Sequence, residues 1–142
     1  MKSENDIERF VEAQNAEDFG FADGLMEIEY GRKRTHWIWY VFPQLRGLGR
    51  SWNAEYYGLA GKEEAKAYLA HPILGQRLRK ITNALLHHRD KTVRQILGGI
   101  DAMKVKSCMT LFDCISPDDI FGEVLKQFYN GEKDPVSIVY VG

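Results

Sequence analysis

His71–Leu86 reads HPILGQRLRKITNALL. The residue before a proline leaves the α region, while proline itself suits the first helical position, so a helix opens at Pro72. Ile73, Leu74, Leu78, Ile81, Leu85 and Leu86 recur at spacings of three and four, with Arg77, Arg79 and Lys80 among them. This is one apolar stripe on an otherwise polar helix. The same period recurs outward in both directions. Upstream, Glu63–Leu69 continues helical, and Ser51 caps a helix that runs through Tyr57 and closes at Gly58. Phe21, Ala22, Leu25, Met26 and Ile28 line another, with Gly31 at its C′ position. Ser3 with Asp6 reads as a capping box ahead of Ile7, Phe10 and Val11, in a helix ending near Gln14. Downstream, Thr92 with Gln95 forms a second capping box before Gly98-Gly99, and Asp101 caps a helix carrying Val105, Cys108, Met109 and Phe112. Ser116-Pro117-Asp118-Asp119 is a further start, with proline at N1; Ile120, Phe121, Val124, Leu125 and Phe128 face inward behind it, and Gly131 follows its end.

Two stretches stay open. Thr35–Pro43, THWIWYVFP, is apolar throughout and suits either a buried strand or a short buried helix. Asp134-Pro135 signals a helix start, yet Val136–Val141 is β-branched. The expectation is a mainly α single domain over residues 1–142, with six or seven helices and room for a short extended segment at the C-terminus.

Composition narrows the class. The 142 residues are 44% hydrophobic and 27% charged, which excludes wholesale disorder. No apolar run approaches the roughly 18 residues of a membrane span, and MKSENDIERF lacks a secretory h-region. Two cysteines make no disulfide framework, so the cytoplasm is the expected compartment. The formal net charge of −1 hides blocks: residues 1–31 carry nine acids against Lys2 and Arg9, whereas residues 32–50 carry five Lys/Arg and no acid. Residues 71–94 carry six Lys/Arg against Asp90 alone. With a pI of about 6.4, nucleic acid is an improbable partner.

Four constellations carry possible chemistry. Arg46-Gly47-Leu48-Gly49-Arg50-Ser51 leads into a helix; the glycines let backbone approach a ligand, and the two arginines suit a phosphate. Against this stands an ordinary turn with Ser51 as cap. Trp37, Trp39, Tyr40 and Phe42 offer rings that stack a base, or simply core. Imidazole suits acid/base work near neutral pH, so either His36 or His71 could serve as general acid/base, although a histidine before proline, as His71 is, more often caps a helix. His87 and His88 read as a solvated helix end. Asp101, Lys104 and Ser107, with Thr110, share one helix face, so that a lysine flanked by hydroxyls binds phosphate while Asp101 activates water; as an alternative, Asp101 is only a cap. No metal motif is present, and Cys108 and Cys114 lack a second ligand pair.

The strings HWIWYVFPQLRGLGRS (His36–Ser51), AEYYGL (Ala54–Leu59), EAKAYLAHPILGQRL (Glu64–Leu78) and DAMKVKSCMTLF (Asp101–Phe112) resemble the domain of unknown function 1810 family, from about Ile7 to Val141. The resemblance implies a small, mainly α-helical cytosolic domain of bacterial type and brings no activity with it. The order of elements after His71 is also reminiscent of small all-α N-glycosidases acting on ADP-ribose-like nucleotides, although the Trp-Gly-x-Gly segment of that family is missing here.

Together these readings predict one polar pocket walled by His36–Tyr40, Arg46–Ser51 and Asp101–Thr110. Its ligand is a phosphorylated small molecule, a nucleotide or sugar-phosphate derivative. It is held by Trp37, Tyr40, Arg46, Gly47, Gly49, Arg50, Ser51, His71, Lys104 and Ser107, with His36 and Asp101 for hydrolysis or N-glycosidic cleavage. No cofactor is expected. The alternative is a non-enzymatic module whose basic helix 72–89 docks an acidic partner or a nucleic-acid backbone.

Overall fold

The computed structural model describes residues 3–135 and Ser137. Among them are nine helices and no strand: α1 (Glu8–Gln14), α2 (Phe21–Tyr30), α3 (Ile38–Val41), α4 (Trp52–Tyr56), α5 (Lys62–Ala70), α6 (Leu74–Leu86), α7 (Val93–Leu97), α8 (Gly99–Ile115) and α9 (Ile120–Tyr129). The helical class is as expected. The number exceeds six or seven because α3, α4 and α7 are single turns of four or five residues, too short to show a period. Within the stretch left open at Trp37–Phe42, Ile38–Val41 is therefore a helical turn, flanked by non-helical Trp37 and Phe42. Val136–Val141 lies outside the described residues except for Ser137.

The apolar stripe of α6 works as its spacing implies. Leu74, Leu78, Ile81 and Leu85 are buried, and the helix packs against α2, α5 and α9. α8 packs against α5, α7 and α9 and buries Val105, Cys108, Met109, Leu111 and Phe112. Gly75 lets α6 begin hard against α5: a Cβ there would lie 2.1 Å from the Leu69 carbonyl oxygen. Gly31 ends α2 at φ +95°, the left-handed conformation expected of a C′ glycine.

Several helix starts move. α6 begins at Leu74 rather than Pro72, because His71 Nδ1 accepts from Ile73 N at 3.1 Å and Leu74 N at 3.3 Å and caps the helix from outside. Ser3 and Asp6 make local turns, accepting from Asn5 N and Glu8 N, and α1 starts beyond them. α8 starts at Gly99, which places Asp101 inside its first turn instead of at the cap. α9 starts at Ile120 with Asp119 as cap, since Asp118 stands at φ +62° and interrupts any helix begun at Pro117. The Thr92–Gln95 capping box and the Ser51 cap form as read.

Arg9 organises the N-terminal side. It is 1% exposed, and all five N–H groups are used: Nε on Tyr56 O, and the terminal nitrogens on Asp6 O, Gly58 O and both Glu64 carboxylate oxygens, at 2.6–3.1 Å. A buried guanidinium is tolerated only when paired and saturated in this way. Glu27 is its counterpart in α2. Its carboxylate accepts from Arg34 N, Thr35 N, Thr35 Oγ1 and Trp37 Nε1 at 2.6–2.9 Å. Burial pushes the Glu27 carboxyl upward, but these four donors outweigh it and hold the group below its ordinary value.

Candidate functional site

The turn α3 fixes which aromatic rings face out. Ile38 and Val41, three apart, point into the core with Trp37 and Phe42, leaving Trp39 and Tyr40 half-buried at the surface. Trp37 has no exposed surface and donates to Glu27, so it belongs to the core and cannot touch a ligand. Tyr40 donates to the carbonyls of Phe19 and His36 on a different flank, and burial, with Tyr57 and Asp23 nearby, pushes its hydroxyl up to about 12.

Trp39 opens onto a groove of about 530 Å³. Gln44, Leu48 and Gly49 form one wall, and Ile100, Met103, Lys104, Lys106 and Ser107 of α8 form the opposite one, with Asp134 and Pro135 at one end. The three expected walls thus meet in one hollow. Lys104 Nζ sits 3.8 Å from the centroid of the Trp39 ring and 3.3 Å from Asp101 Oδ1. Asp101 also holds Lys33 at 2.8 Å, and Lys33 lies over Trp37 at 5.2 Å. A carboxylate in the first turn of α8 is favoured by the helix dipole, and here it locks two lysines in place. Ser107 Oγ donates to Asp134 at 2.8 Å. Thr110 is buried and accepts from Asp134 N, tying the C-terminal segment to α8.

The arginines do not join this hollow. Arg46 spans to the carbonyls of Glu55 and Glu4 at 3.0 and 2.7 Å, fastening the loop to α4 and the N-terminus. Arg50 is exposed and does not line the groove; Gly47, at φ +97°, supplies the turn between them. Ser51 accepts from Ala54 N as an ordinary cap. His36 is exposed and away from the groove lining. His71 caps α6 and donates through Nε2 to Glu8 at 2.8 Å, which is a structural tie between α1 and α5. Thus only Gly49, Lys104 and Ser107 of the expected site residues line the groove.

Comparison with known proteins now gives the chain a place. The profile of the protein of unknown function DUF1810 family matches residues 4–140. The chain belongs to this family. The fold of this DUF1810 member is close to the crystal structure of the conserved hypothetical protein Rv1873 from Mycobacterium tuberculosis, at 39% identity, 96% coverage of each chain and a TM-score of 0.91. No curated protein matches the chain in sequence.

Residues of the DUF1810 groove that the sequence did not single out are Gln44, Leu48, Ile100, Met103, Lys106 and Asp134. Reading Thr35–Pro43 as helix would have turned Trp39 outward and Trp37 inward. Met103 and Ile100 carry a weaker signal: they are large apolar residues on α8 that miss its buried face, and both are more than 70% exposed. Asp134 is legible only as a helix start; its place on the groove rests on α8, about 27 residues earlier, while Ser137 bonds it locally.

The basic stretch 72–89 also divides. Arg77 turns to Gln14 and Asn15 over the Phe21 ring, and Arg79 pairs with Asp119 at 2.9 Å. That pairing holds the Asp119 carboxyl at about 2. His88 donates to the Ile28 carbonyl and is not a solvated helix end. His87, Arg89 and Lys126 remain around a groove of about 690 Å³ between α6 and α9, with Glu123 among them. Among the described residues no helix is long and apolar enough to cross a membrane, and no group of His, Cys, Asp and Glu could hold a metal.

Proposed function

We propose that the groove between α3, the 44–49 loop and α8 binds a phosphorylated small molecule, a nucleotide or a sugar-phosphate derivative, in a cytoplasmic setting that fits two free thiols. The observation that carries this reading is the Lys104 ammonium held 3.8 Å over the Trp39 indole in a hollow large enough for such a ligand. Lys106, paired with exposed Glu132 at 3.4 Å, and Ser107 add a second cation and a hydroxyl on the same helix. Leu48, Met103 and Ile100 supply the apolar surface that a base or sugar face covers. Asp134, the acid among the described lining residues, directs the ligand's anionic end toward Lys104.

The finer form of this reading is hydrolysis or N-glycosidic cleavage. It needs a proton carrier that faces the groove. Asp134, bonded by Ser107 and Ser137, lines the groove, while Asp101 holds two lysines.

Differential scanning fluorimetry against nucleotides and sugar phosphates tests the binding. A ligand at about 100 times its Kd stabilises by roughly 2.7 kcal/mol, or roughly 5–10 °C for a chain of this size. Lys104→Gln should abolish the shift and Arg46→Ala should keep it. A shift that survives Lys104→Gln refutes the site, and no shift across the panel refutes the ligand class.

A second reading has its own observation. His87, Arg89 and Lys126 ring the α6–α9 groove, and none of them is in an ion pair among the described residues. That surface suits an acidic protein segment. Its binding should weaken as salt is raised.

A further inference from the structure

The acidic N-terminal block faces a set of aromatic rings that the groove does not use. Trp52 is 58% exposed and stacks on Tyr56, one helical turn on, with centroids 4.6 Å apart and planes 12° apart. Tyr57 meets this pair edge-on, at 82° to Tyr56 and 89° to Trp52, and continues to Tyr40 at 5.1 Å. Phe19, itself 46% exposed, is joined to Tyr40 through its carbonyl. The rings of Trp52, Tyr56, Tyr57 and Tyr40 form a continuous aromatic face built from α4, the residue after it and α3, with Phe19 beside it.

Among the described residues, acids outnumber cations around this face. Glu12 acts on the hydroxyls of both Tyr56 and Tyr57, Asp6 on Tyr56 and Asp23 on Tyr40, each adding to the burial that pushes these phenols up. Arg9 is the cation whose field reaches Tyr56 and Tyr57, and it is buried and neutralised by Glu64. Glu12 is exposed and has no hydrogen bond or ion pair among the described residues, as do Glu17 and Asp18 in the following loop. Ring faces are electron-rich and attract a cation placed over them, and nearby carboxylates add to that attraction.

We propose that this aromatic and acidic face is a docking surface for a lysine- or arginine-bearing segment of another protein. One basic side chain lies on the exposed Trp52–Tyr56 stack, and its neighbours pair with Glu12 and the acids of residues 17–23. The argument is charge complementarity: Glu12, Asp6 and Asp23 act on these rings, and Glu17 and Asp18 stand exposed in the loop beside Phe19. The stacked pair is already ordered by its own contact, so a partner loses little side-chain freedom there on binding. The surface is separate from the Trp39 groove, and neither reading depends on the other.

The test uses the full chain with a fluorescein-labelled hexalysine peptide and its hexaglutamate control, followed by anisotropy. Hexalysine should bind and hexaglutamate should not. Trp52→Ala should weaken hexalysine binding by tenfold or more, and Glu12→Gln by roughly three- to tenfold, with thermal melts confirming that both variants fold. Trp52→Phe, which keeps a ring, should restore most of the affinity. Absence of hexalysine binding overturns the proposal. Binding that Trp52→Ala leaves unchanged also overturns it, since that would be general attraction to an acidic surface.

Discussion

Replacing Arg9 with methionine should be among the most damaging single changes available to this fold. The substitution keeps the unbranched stem and removes all five N–H donors. Left behind are the carbonyls of Tyr56, Gly58 and Asp6, and a Glu64 side chain that is only 13% exposed. Breaking one partner of a buried ion pair costs about 3–5 kcal/mol, because the surviving charge is stranded. For a domain of total stability roughly 5–15 kcal/mol, that is about a fifth of the whole or more. The melting temperature should fall by roughly 10–20 °C. Urea denaturation followed by far-UV circular dichroism measures the loss directly, provided the slope m is unchanged. Arg9→Met combined with Glu64→Gln removes the stranded charge while keeping the oxygen that accepts from Ala60 N. The double variant should therefore recover part of the loss, by 1 kcal/mol or more. A single-variant loss below about 1 kcal/mol, or a double variant no more stable than the single, would show that the pair is not the buried tie described above.

Other consequences follow from the same geometry. Glu27→Ala leaves Trp37 Nε1 and the Arg34 and Thr35 amides without their acceptor, and should cost about 2–4 kcal/mol in the same urea titration. The Asp119 carboxyl is lowered from 3.8 to about 2 by Arg79, and Glu27 is lowered as well. Their contribution is therefore complete above the unfolded carboxylate values and is lost as pH falls from about 4 toward 2; Asp119→Asn should flatten that part of a stability-against-pH curve. Cys108 is fully buried, and burial pushes its thiol well up, whereas Cys114 is only partly covered. Ellman's reagent should titrate one thiol in the native protein and two in urea, and two fast native thiols would contradict the packing of α8. Gly75→Ala should unfold or strongly destabilise the chain, because the new methyl meets backbone at 2.1 Å; a melt within 2 °C of the parent would refute that packing of α5 on α6.

The acidic and basic blocks, the long amphipathic helices and the better caps are local properties, and the sequence alone determined them. The α6 stripe, the Thr92–Gln95 box, the Ser51 cap and the Gly31 C′ position follow from spacings of three and four and from side chains that bond their own backbone. Tertiary structure decided everything that required comparing distant stretches. Arg46 and Lys104 are both cations near glycines or hydroxyls, yet one is consumed by the carbonyls of Glu4 and Glu55 while the other lines the groove. Trp37, just before the α3 turn, and Trp39, within it, differ by two positions, and that difference sends one ring to Glu27 in the core and the other to Lys104 at the surface. Arg9 looks like a minor counter-charge in an acidic arm until Tyr56, Gly58 and Glu64 close around it. A charge is assigned its role by the partners that desolvate it, and those partners lie about 47–55 residues away along the chain, beyond the reach of any periodicity.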